Sequence, residues 1–107
     1  MNRGILASAY LKPNKDVTLT DIKEIYKKYY KDKPFIRLID EEAQTRWTKG
    51  TNYCDISIFK DERTKRIIVF SAIDNLYKGA SGQAVQNMNI MFDLDEKTAL
   101  QNIAIFP

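Results

Sequence analysis

The chain has 107 residues, the size of an ordinary single domain, and 44% of them are hydrophobic and 29% charged. Its net charge is +3, and its longest apolar stretches, such as Ile67 to Phe70, are far too short to cross a bilayer. The lysines between Lys23 and Lys33 fit a solvated helix face better than a nucleic-acid stripe, because no zinc-finger or RNA-binding signature accompanies them. We therefore expect a cytoplasmic protein that binds neither membranes nor nucleic acid.

The first forty residues predict a strand, a helix and a second strand. Residues 4–12 alternate between two fairly apolar faces, as in a β-strand. Thr18 and Asp21 form a variant capping box, and apolar residues then recur at helical spacing until Pro34 ends the pattern. Residues 35–39 form a short strand candidate.

The rest of the chain predicts a loop, a β-hairpin and a second helix. Residues 40–51 are loop-like, whereas 53–60 and 66–73 have the alternation and β-branched content of paired strands. A helix is predicted over 82–92 and a last strand over 103–106. This order of elements predicts an α+β fold in a single domain over the whole chain, with helices packed on a largely antiparallel sheet.

The second helix has an apolar side and an amide side. The apolar side comprises Ala80, Ala84, Val85, Met88, Met91 and Phe92, and the amide side comprises Gln83, Gln86, Asn87 and Asn89. An ordinary amphipathic helix would leave the amides in solvent. However, exposed helix faces usually carry Lys, Glu and Arg, which favour helices more than Asn does. The amides therefore form either a solvated face or a surface that meets another polar surface.

Two glycines, Gly79 and Gly82, precede this helix. Glycine permits close backbone approach, and the free N–H groups of a helix N-terminus attract polar and anionic groups. Lys78 adds a positive charge. The pair indicates either a ligand contact or a simple turn, because a dinucleotide-binding motif needs three glycines in a strand–helix–strand unit.

The chain offers little catalytic chemistry, since it has no histidine and one cysteine, Cys54. Strand alternation places Cys54 beside Ile56 and Ile58 in an apolar layer, where the thiolate is disfavoured and no imidazole can activate it. We expect a structural cysteine. Arg3 could hold a carboxylate or phosphate in bidentate fashion, and Trp47 in the predicted loop suggests a covered or interface position.

Three segments carry a family resemblance: MNRGIL at 1–6, GTNYCDI at 50–56 and SAIDNLYKGASGQAVQNMNIMFD at 71–93. In order and spacing they resemble the carboxy-terminal part of the N-acetyl-gamma-glutamyl-phosphate reductases, which belong with the aspartate-semialdehyde and glyceraldehyde-phosphate dehydrogenases. Those enzymes combine a Rossmann cofactor domain with an α+β catalytic and dimerisation domain. The resemblance implies that the chain is a fragment of the second domain and lacks the first.

The resemblance also implies an activity, the NADPH-dependent reduction of N-acetyl-L-glutamyl 5-phosphate to the 5-semialdehyde in arginine biosynthesis. The family's catalytic cysteine lies in a Gly-Cys-Tyr-type motif, and its histidine shortly precedes a Pro-Met-Asn-Arg-Gly segment within which Met1 falls. The chain is therefore expected to lack both catalytic residues, to be inactive alone and to hold no metal. Cys54 matches a structural strand of the family.

By the same resemblance, Asn75, Gly79, Gly82 and Gln83 match the segment that borders the nicotinamide, so they are expected to contact NADP(H), which the missing domain mainly binds. Arg3 follows the family's catalytic histidine and is expected to face the carboxylate or phosphate of the acyl-phosphate substrate. The family's sheet forms the subunit interface. A homo-oligomer is therefore expected, in which exposed strands such as 67–70 present edges or faces.

Two other functions remain open. The short, self-contained length also fits a self-standing interaction module whose amide helix and Trp47 loop bind a protein. A reductase of a related acyl phosphate, such as a carrier-linked aminoadipyl phosphate, would show the same motifs.

Overall fold

A four-stranded sheet forms the centre of the structure, a computed structural model that describes residues 1–105. The strands are β1 (Ile5–Leu11), β2 (Ile36–Leu38), β3 (Cys54–Asp61) and β4 (Arg66–Ile73), in the spatial order β1-β4-β3-β2. Strand β4 is antiparallel to β1 and to β3, whereas β2 runs parallel to β3. The predicted α+β class is confirmed. Because β4 is central, the sheet's edges belong to β1 and β2, so residues 67–70 present a face of the sheet and not an edge.

Helix α1 (Leu19–Tyr29) covers one face of the sheet. The predicted capping box is present: the Thr18 hydroxyl accepts a hydrogen bond from the Asp21 N–H (3.1 Å), and the Asp21 carboxylate accepts one from the Thr18 N–H (3.3 Å). The core beneath the helix consists of buried side chains from β3 and β4 and partly buried ones from α1, namely Ile56, Ile58 and Ile67 with Leu19, Ile22, Tyr26 and Tyr30. The predicted apolar stripe therefore does pack, although Ile25 and Tyr29 at its margin stay exposed.

The opposite face of the sheet is only partly covered. The loop after β2 contains a short helix that the sequence did not predict, α2 (Thr45–Thr48), and the Ala43 N–H donates to the buried Ser57 hydroxyl (3.1 Å). Further along this face the side chains are exposed or half-buried: Leu6, Tyr10, Phe59, Ile68 and Phe70. We call these five residues the open face.

A π-helical turn (Tyr77–Ser81) follows β4 and runs directly into helix α3 (Gly82–Met91). The helix confirms the prediction, but the turn was not foreseen. The predicted last strand is wrong for residues 103–105, which join the fold through a hydrogen bond from the Ile105 N–H to the Lys49 carbonyl (2.9 Å). Phe106 lies outside the described residues. Within 1–105, no helix is long and apolar enough to cross a membrane.

Helix α3 exposes its apolar side to solvent and directs much of its amide side into the fold, the reverse of an ordinary amphipathic helix. Met91 on its apolar side is 80% exposed and Phe92 is also exposed, whereas Gln86 on its amide side is 8% exposed and Asn89 is fully buried. An amphipathic helix with solvated amides is therefore the wrong description. The physical reason is that the chain packs its own polar loops against the amides and leaves the apolar side uncovered.

Candidate functional site

A fully buried carboxylate, Asp74, lies immediately after β4 and joins three distant segments. Its Oδ2 accepts hydrogen bonds from Arg3 Nε (3.2 Å), from Arg3 Nη2 (2.8 Å) and from the Gly50 N–H (2.6 Å). Its Oδ1 accepts from the N–H groups of Leu76 (2.8 Å) and Tyr77 (3.3 Å). We call this arrangement the Asp74 clasp.

The clasp keeps Asp74 ionised. Burial raises the pKa of Asp74, but hydrogen bonds from Gly50, Arg3, Leu76 and Tyr77 outweigh that effect and leave the pKa below its ordinary value. Gly50 can join the clasp because its φ of +78° lies in the left-handed region that glycine adopts readily. Arg3 is thus paired with a permanent negative charge at neutral pH.

The entrance of α3 has no free helix N-terminus at Gly82. The Gly82 N–H donates to the Tyr77 carbonyl, and the Gly79 N–H donates to the Asp74 carbonyl (2.9 Å). The π-helical turn therefore extends the helix back to Leu76 and Tyr77, whose N–H groups meet the Asp74 carboxylate. The positive end of the helix dipole is satisfied internally, and the expectation that it is open to a ligand at Gly82 is wrong.

The two glycines of this entrance differ in their surroundings. A Cβ at Gly82 would clash with Asn52 Oδ1 and would lie 2.8 Å from the Tyr77 carbonyl group, so the fold itself requires glycine there. A Cβ at Gly79 would meet only ordinary contacts, the nearest at 3.4 Å, and Gly79 is exposed. Packing within the described chain therefore explains Gly82 and leaves Gly79 unexplained.

Asn75 lies close to Arg3 because its side chain accepts a hydrogen bond from Gly4, the residue after Arg3. Its Oδ1 accepts a hydrogen bond from the Gly4 N–H (2.8 Å), and its Nδ2 donates to no partner within residues 1–105. The structure thus brings Arg3, Asn75 and Gly79 together around Asp74. Asp74 itself was missed in the sequence, although an acidic residue directly after an apolar strand is a signal that could have found it.

Gln86 belongs to an internal polar network. Its Oε1 accepts from Asn52 Nδ2 (2.9 Å) and from Lys78 Nζ (2.7 Å), and its Nε2 donates to Glu96 Oε1 (2.7 Å). Lys78, which was expected to charge the helix entrance, is therefore directed into the fold, where burial lowers its pKa.

The remaining amides divide between internal and exposed positions. Asn89 Nδ2 donates to the carbonyls of Glu96 (3.2 Å) and Thr98 (3.0 Å), so it ties the following segment to the helix. Gln83 and Asn87 lie nearer the surface, where Gln83 Nε2 donates to Asn87 Oδ1 (2.8 Å). Of the predicted amide surface, only these last two side chains remain for an external contact.

Cys54 lies at the edge of the core under α1, and burial raises its pKa. A thiol whose ionisation is disfavoured is a poor nucleophile at neutral pH. This environment agrees with the structural role predicted from the strand alternation.

A cavity of about 180 Å³ opens beside Arg3. Its lining is Met1, Asn2, Arg3, Thr45, Arg46 and Lys49. Three of these six side chains are basic, which suits an anionic group. Arg46 was missed because the sequence predicted a loop where α2 places it next to Arg3. We call this space the cationic cavity.

A larger cavity of about 640 Å³ lies along β2 and includes Trp47. Its one arginine, Arg37, is already held by Asp55 at 2.6 and 2.9 Å and lies 4.3 Å from the centre of the Tyr53 ring. The other charged side chains of its lining are acidic, namely Asp40 and Glu41, so this cavity does not suit an anion. Trp47 is half-buried here, and its interface role stays a prediction.

Residues 1–75 match a family described as "Semialdehyde dehydrogenase, dimerisation domain". This range contains the whole sheet and both Arg3 and Asp74. The chain belongs to this family. The matched range, which holds the sheet together with α1 and α2, is the part of the chain that corresponds to this domain.

Curated relatives agree with the resemblance seen in the motifs. The chain is 52% identical over 109 residues to an N-acetyl-gamma-glutamyl-phosphate reductase of Brevibacillus brevis, covering 100% of the chain and 32% of that protein. It is 55% identical to the enzyme of the same name from Campylobacter jejuni, covering 97% of the chain and 31% of that protein. The chain thus spans about a third of the length of these relatives, and the predicted resemblance is confirmed.

A solved structure supports the fold. An aspartate semialdehyde dehydrogenase II of Vibrio cholerae, complexed with ASA, is similar with a TM-score of 0.65 and 17% identity, covering 85% of this chain and 27% of that one. At this identity the likeness concerns the fold alone, and it agrees with the α+β class of the family.

Proposed function

We propose that this chain forms part of the catalytic and dimerisation domain of a cytoplasmic, NADPH-dependent reductase. The reductase converts N-acetyl-L-glutamyl 5-phosphate to N-acetyl-L-glutamate 5-semialdehyde in arginine biosynthesis. The proposal is supported by the similarity over 97–100% of the chain to reductases of that name. The catalytic cysteine and histidine are supplied from outside the chain.

One observation carries the proposal, the placement of Arg3 and Asn75 next to each other. Arg3 is proposed to contact the anionic substrate and Asn75 the nicotinamide, and hydride transfer requires the two molecules to be adjacent. The Asp74 clasp and the contact from the Gly4 N–H to Asn75 hold these residues side by side although they are far apart in sequence.

The surface around Asn75 fits one part of a cofactor site. Asn75 Nδ2 has a hydrogen left to donate to a carboxamide oxygen, the exposed Gly79 permits close approach, and Gln83 lies one turn further along. Gly82 contributes indirectly, because it lets α3 pack against Asn52. When bound, NADPH supplies the hydride, and most of its surface is held by the missing domain.

The uncovered apolar side of α3 indicates where that domain packs. Met88, Met91 and Phe92 expose apolar surface on and just after α3, the helix that also carries Gln83, and such patches on proteins usually mark interaction sites. The chain alone is therefore proposed to be inactive.

Two preparations test the function, the 107-residue chain and the longer product of the same gene. Both are assayed for phosphate-dependent, NADP-linked oxidation of N-acetylglutamate 5-semialdehyde. We expect no turnover from the chain and clear turnover from the longer product. Turnover by the chain alone would contradict the need for the missing parts, and none from the longer product would contradict the proposed reaction.

Asn75→Asp tests the cofactor contact within the active enzyme. Aspartate still accepts the hydrogen bond from the Gly4 N–H but has no Nδ2 donor, so KM for NADP should rise about tenfold. The matched control is Asn14→Asp, which makes the same chemical change at an exposed position after β1, outside the proposed site. Equal effects of the two variants would remove Asn75 from the site.

The open face is proposed as the subunit interface of a homo-oligomer. It presents aromatic and aliphatic side chains on the part of the chain that matches a dimerisation domain. Light scattering on the longer product should give a mass above that of one chain. Phe70→Lys, which places a charge in the middle of this face, should shift the protein toward monomer, whereas Lys12→Glu beyond the end of β1 should not.

Two alternatives are distinguished by the same preparations. A self-standing interaction module, favoured by the exposed side of α3, would be encoded without a cofactor domain and would lack NADP-linked activity. A reductase of a carrier-linked aminoadipyl phosphate would prefer that substrate to the acetylglutamyl one in steady-state rates of the longer product.

A further inference from the structure

The Asp74 clasp contains a buried ion pair. Well-packed apolar side chains at the same place would stabilise the fold equally well. Removing two charges from water opposes their attraction, so such a pair contributes little compared with well-packed apolar side chains. What the pair provides is a defined geometry. Asp74 Oδ2 fixes both the Nε and the Nη2 of Arg3, and the Gly50 N–H holds the same oxygen in place.

The clasp leaves part of Arg3 available. A guanidinium group has five N–H donors, and Asp74 receives only one from Nε and one from Nη2. The other donors make no hydrogen bond within residues 1–105, and the Arg3 side chain is 30% exposed. Arg3 is therefore anchored along one edge and open along the other.

Arg3 lines the cationic cavity together with Arg46 and Lys49, and this basic lining suits an anion. The cavity volume of about 180 Å³ is several times the roughly 30 Å³ that one water occupies, so a carboxylate or phosphate group fits. Arg46 is exposed and adds a second guanidinium group to this lining.

We propose that Asp74 is a positioning residue that holds Arg3 toward the cationic cavity, where Arg3, Arg46 and Lys49 receive a carboxylate or phosphate group of the substrate. The proposal rests on the proposed function, which makes Arg3 a substrate contact. Asp74 also precedes Asn75, whose Oδ1 accepts the Gly4 N–H, so the substrate and cofactor contacts are held in one unit.

A double-mutant cycle in the longer, active enzyme tests the proposal with Asp74→Asn, Arg3→Ala and the double variant. The KM values of Arg3→Ala for phosphate and for the semialdehyde are measured first, and the one that rises is the KM that depends on Arg3. Asp74→Asn should raise the same KM about tenfold, the loss expected for one misplaced charge-assisted hydrogen bond, with a smaller change in kcat. In the Arg3→Ala background, Asp74→Asn should leave that KM unchanged.

Arg46→Gln tests the cavity, and Asp40→Asn is the matched control for Asp74→Asn, because it makes the same chemical change in an exposed ion pair with Lys23. We expect Arg46→Gln to raise the same KM and Asp40→Asn to leave it unchanged. A purely structural Asp74 would instead raise every KM together and add its effect to that of Arg3→Ala. That pattern would overturn the proposal.

If Asp74→Asn does not fold, Asp74→Glu replaces it, because glutamate keeps the charge and moves the carboxylate by one methylene. An unchanged KM in Asp74→Glu would overturn the positioning role. The proposed function and the positioning role of Asp74 can be contradicted separately. An inactive wild type contradicts the proposed function, whereas an active wild type with an unchanged KM in the Asp74 variants contradicts only the positioning role.

Discussion

Helices α1 and α3 both have an apolar side in the sequence, although the pattern is weaker in α3, and they have opposite surroundings in the structure. Helix α1 packs Leu19, Ile22 and Tyr26 onto the sheet of its own chain. Helix α3 buries two amides and exposes Met91 and Phe92. The difference teaches that periodicity predicts a helix and its two sides, but not which side its own chain covers. In α1 the partner is present, and in α3 we infer that it lies outside the chain.

The largest expected effect on the free energy of unfolding comes from the contacts that attach each helix to the rest of the fold. Helix α1 is attached by apolar contacts, whereas the start of α3 is attached through the charged Asp74 clasp. Asp74→Ala leaves Arg3 without its partner and should lower the free energy of unfolding of the chain by about 3 kcal/mol, measured by urea denaturation. A loss below about 1 kcal/mol would show that the clasp does not hold α3.

The same contact should give the chain an acid-sensitive stability. The pKa of Asp74 lies below its ordinary value in the fold, so its contribution is fully present above the unfolded-state pKa of about 3.9. It is lost as the pH falls below that value toward the folded-state pKa. Asp74→Asn should flatten this part of the stability–pH curve, and an unchanged slope would contradict the assignment.

A pair of truncations compares the two apolar sides directly. Ile22→Ala in α1 removes packed methylenes and should cost about 2 kcal/mol. Met91→Ala in α3 removes an exposed side chain and should change the free energy of unfolding by less than about 0.5 kcal/mol. Equal costs in urea denaturation of the 107-residue chain would mean that α3 is covered after all.

The glycines at the start of α3 give the next effect. Gly82→Ala forces its Cβ against Asn52 and the Tyr77 backbone and should cost about 2 kcal/mol. Gly79→Ala has room and should be neutral or slightly stabilising in the chain, while it weakens NADP binding by the longer enzyme. A destabilising Gly79→Ala would show that this glycine also serves the fold.

The smallest expected effect is the loss of stability on removing a side chain at the start of each helix, which should be larger for α1 than for α3. Thr18→Ala removes the capping hydrogen bond of α1 and should cost about 1 kcal/mol. Ser81→Ala should cost less, because the Ser81 side chain caps no N–H of α3. Thermal unfolding of both variants measures the difference, and a larger loss for Ser81→Ala would reverse the comparison.

The elements that the sequence predicts well are those determined by neighbouring residues. The capping box at Thr18, the alternation of β3 and the hairpin to β4 all depend on contacts within a few residues or on the adjacent strand. Helix α3 was correctly placed for the same reason. Its orientation could not be predicted, because Gln86 and Asn89 are buried by segments that the helix pattern does not describe.

The candidate site follows the same rule. Asn75 and Gly79 could be singled out from one motif, because they lie four residues apart. The Asp74 clasp could not, since its partners Arg3 and Gly50 lie 71 and 24 residues away and only the sheet brings them together. The cationic cavity depends in addition on α2, a helix of four residues that carries little sequence signal.

Methionine oxidation tests most directly whether a partner outside the chain covers α3. Met88 and Met91 lie on its apolar side, and their oxidation by dilute peroxide can be followed residue by residue by mass spectrometry. We predict fast oxidation of both in the 107-residue chain and strong protection in the proposed longer reductase. Equal oxidation rates in the two proteins would show that no partner covers this side of α3 and would contradict the account.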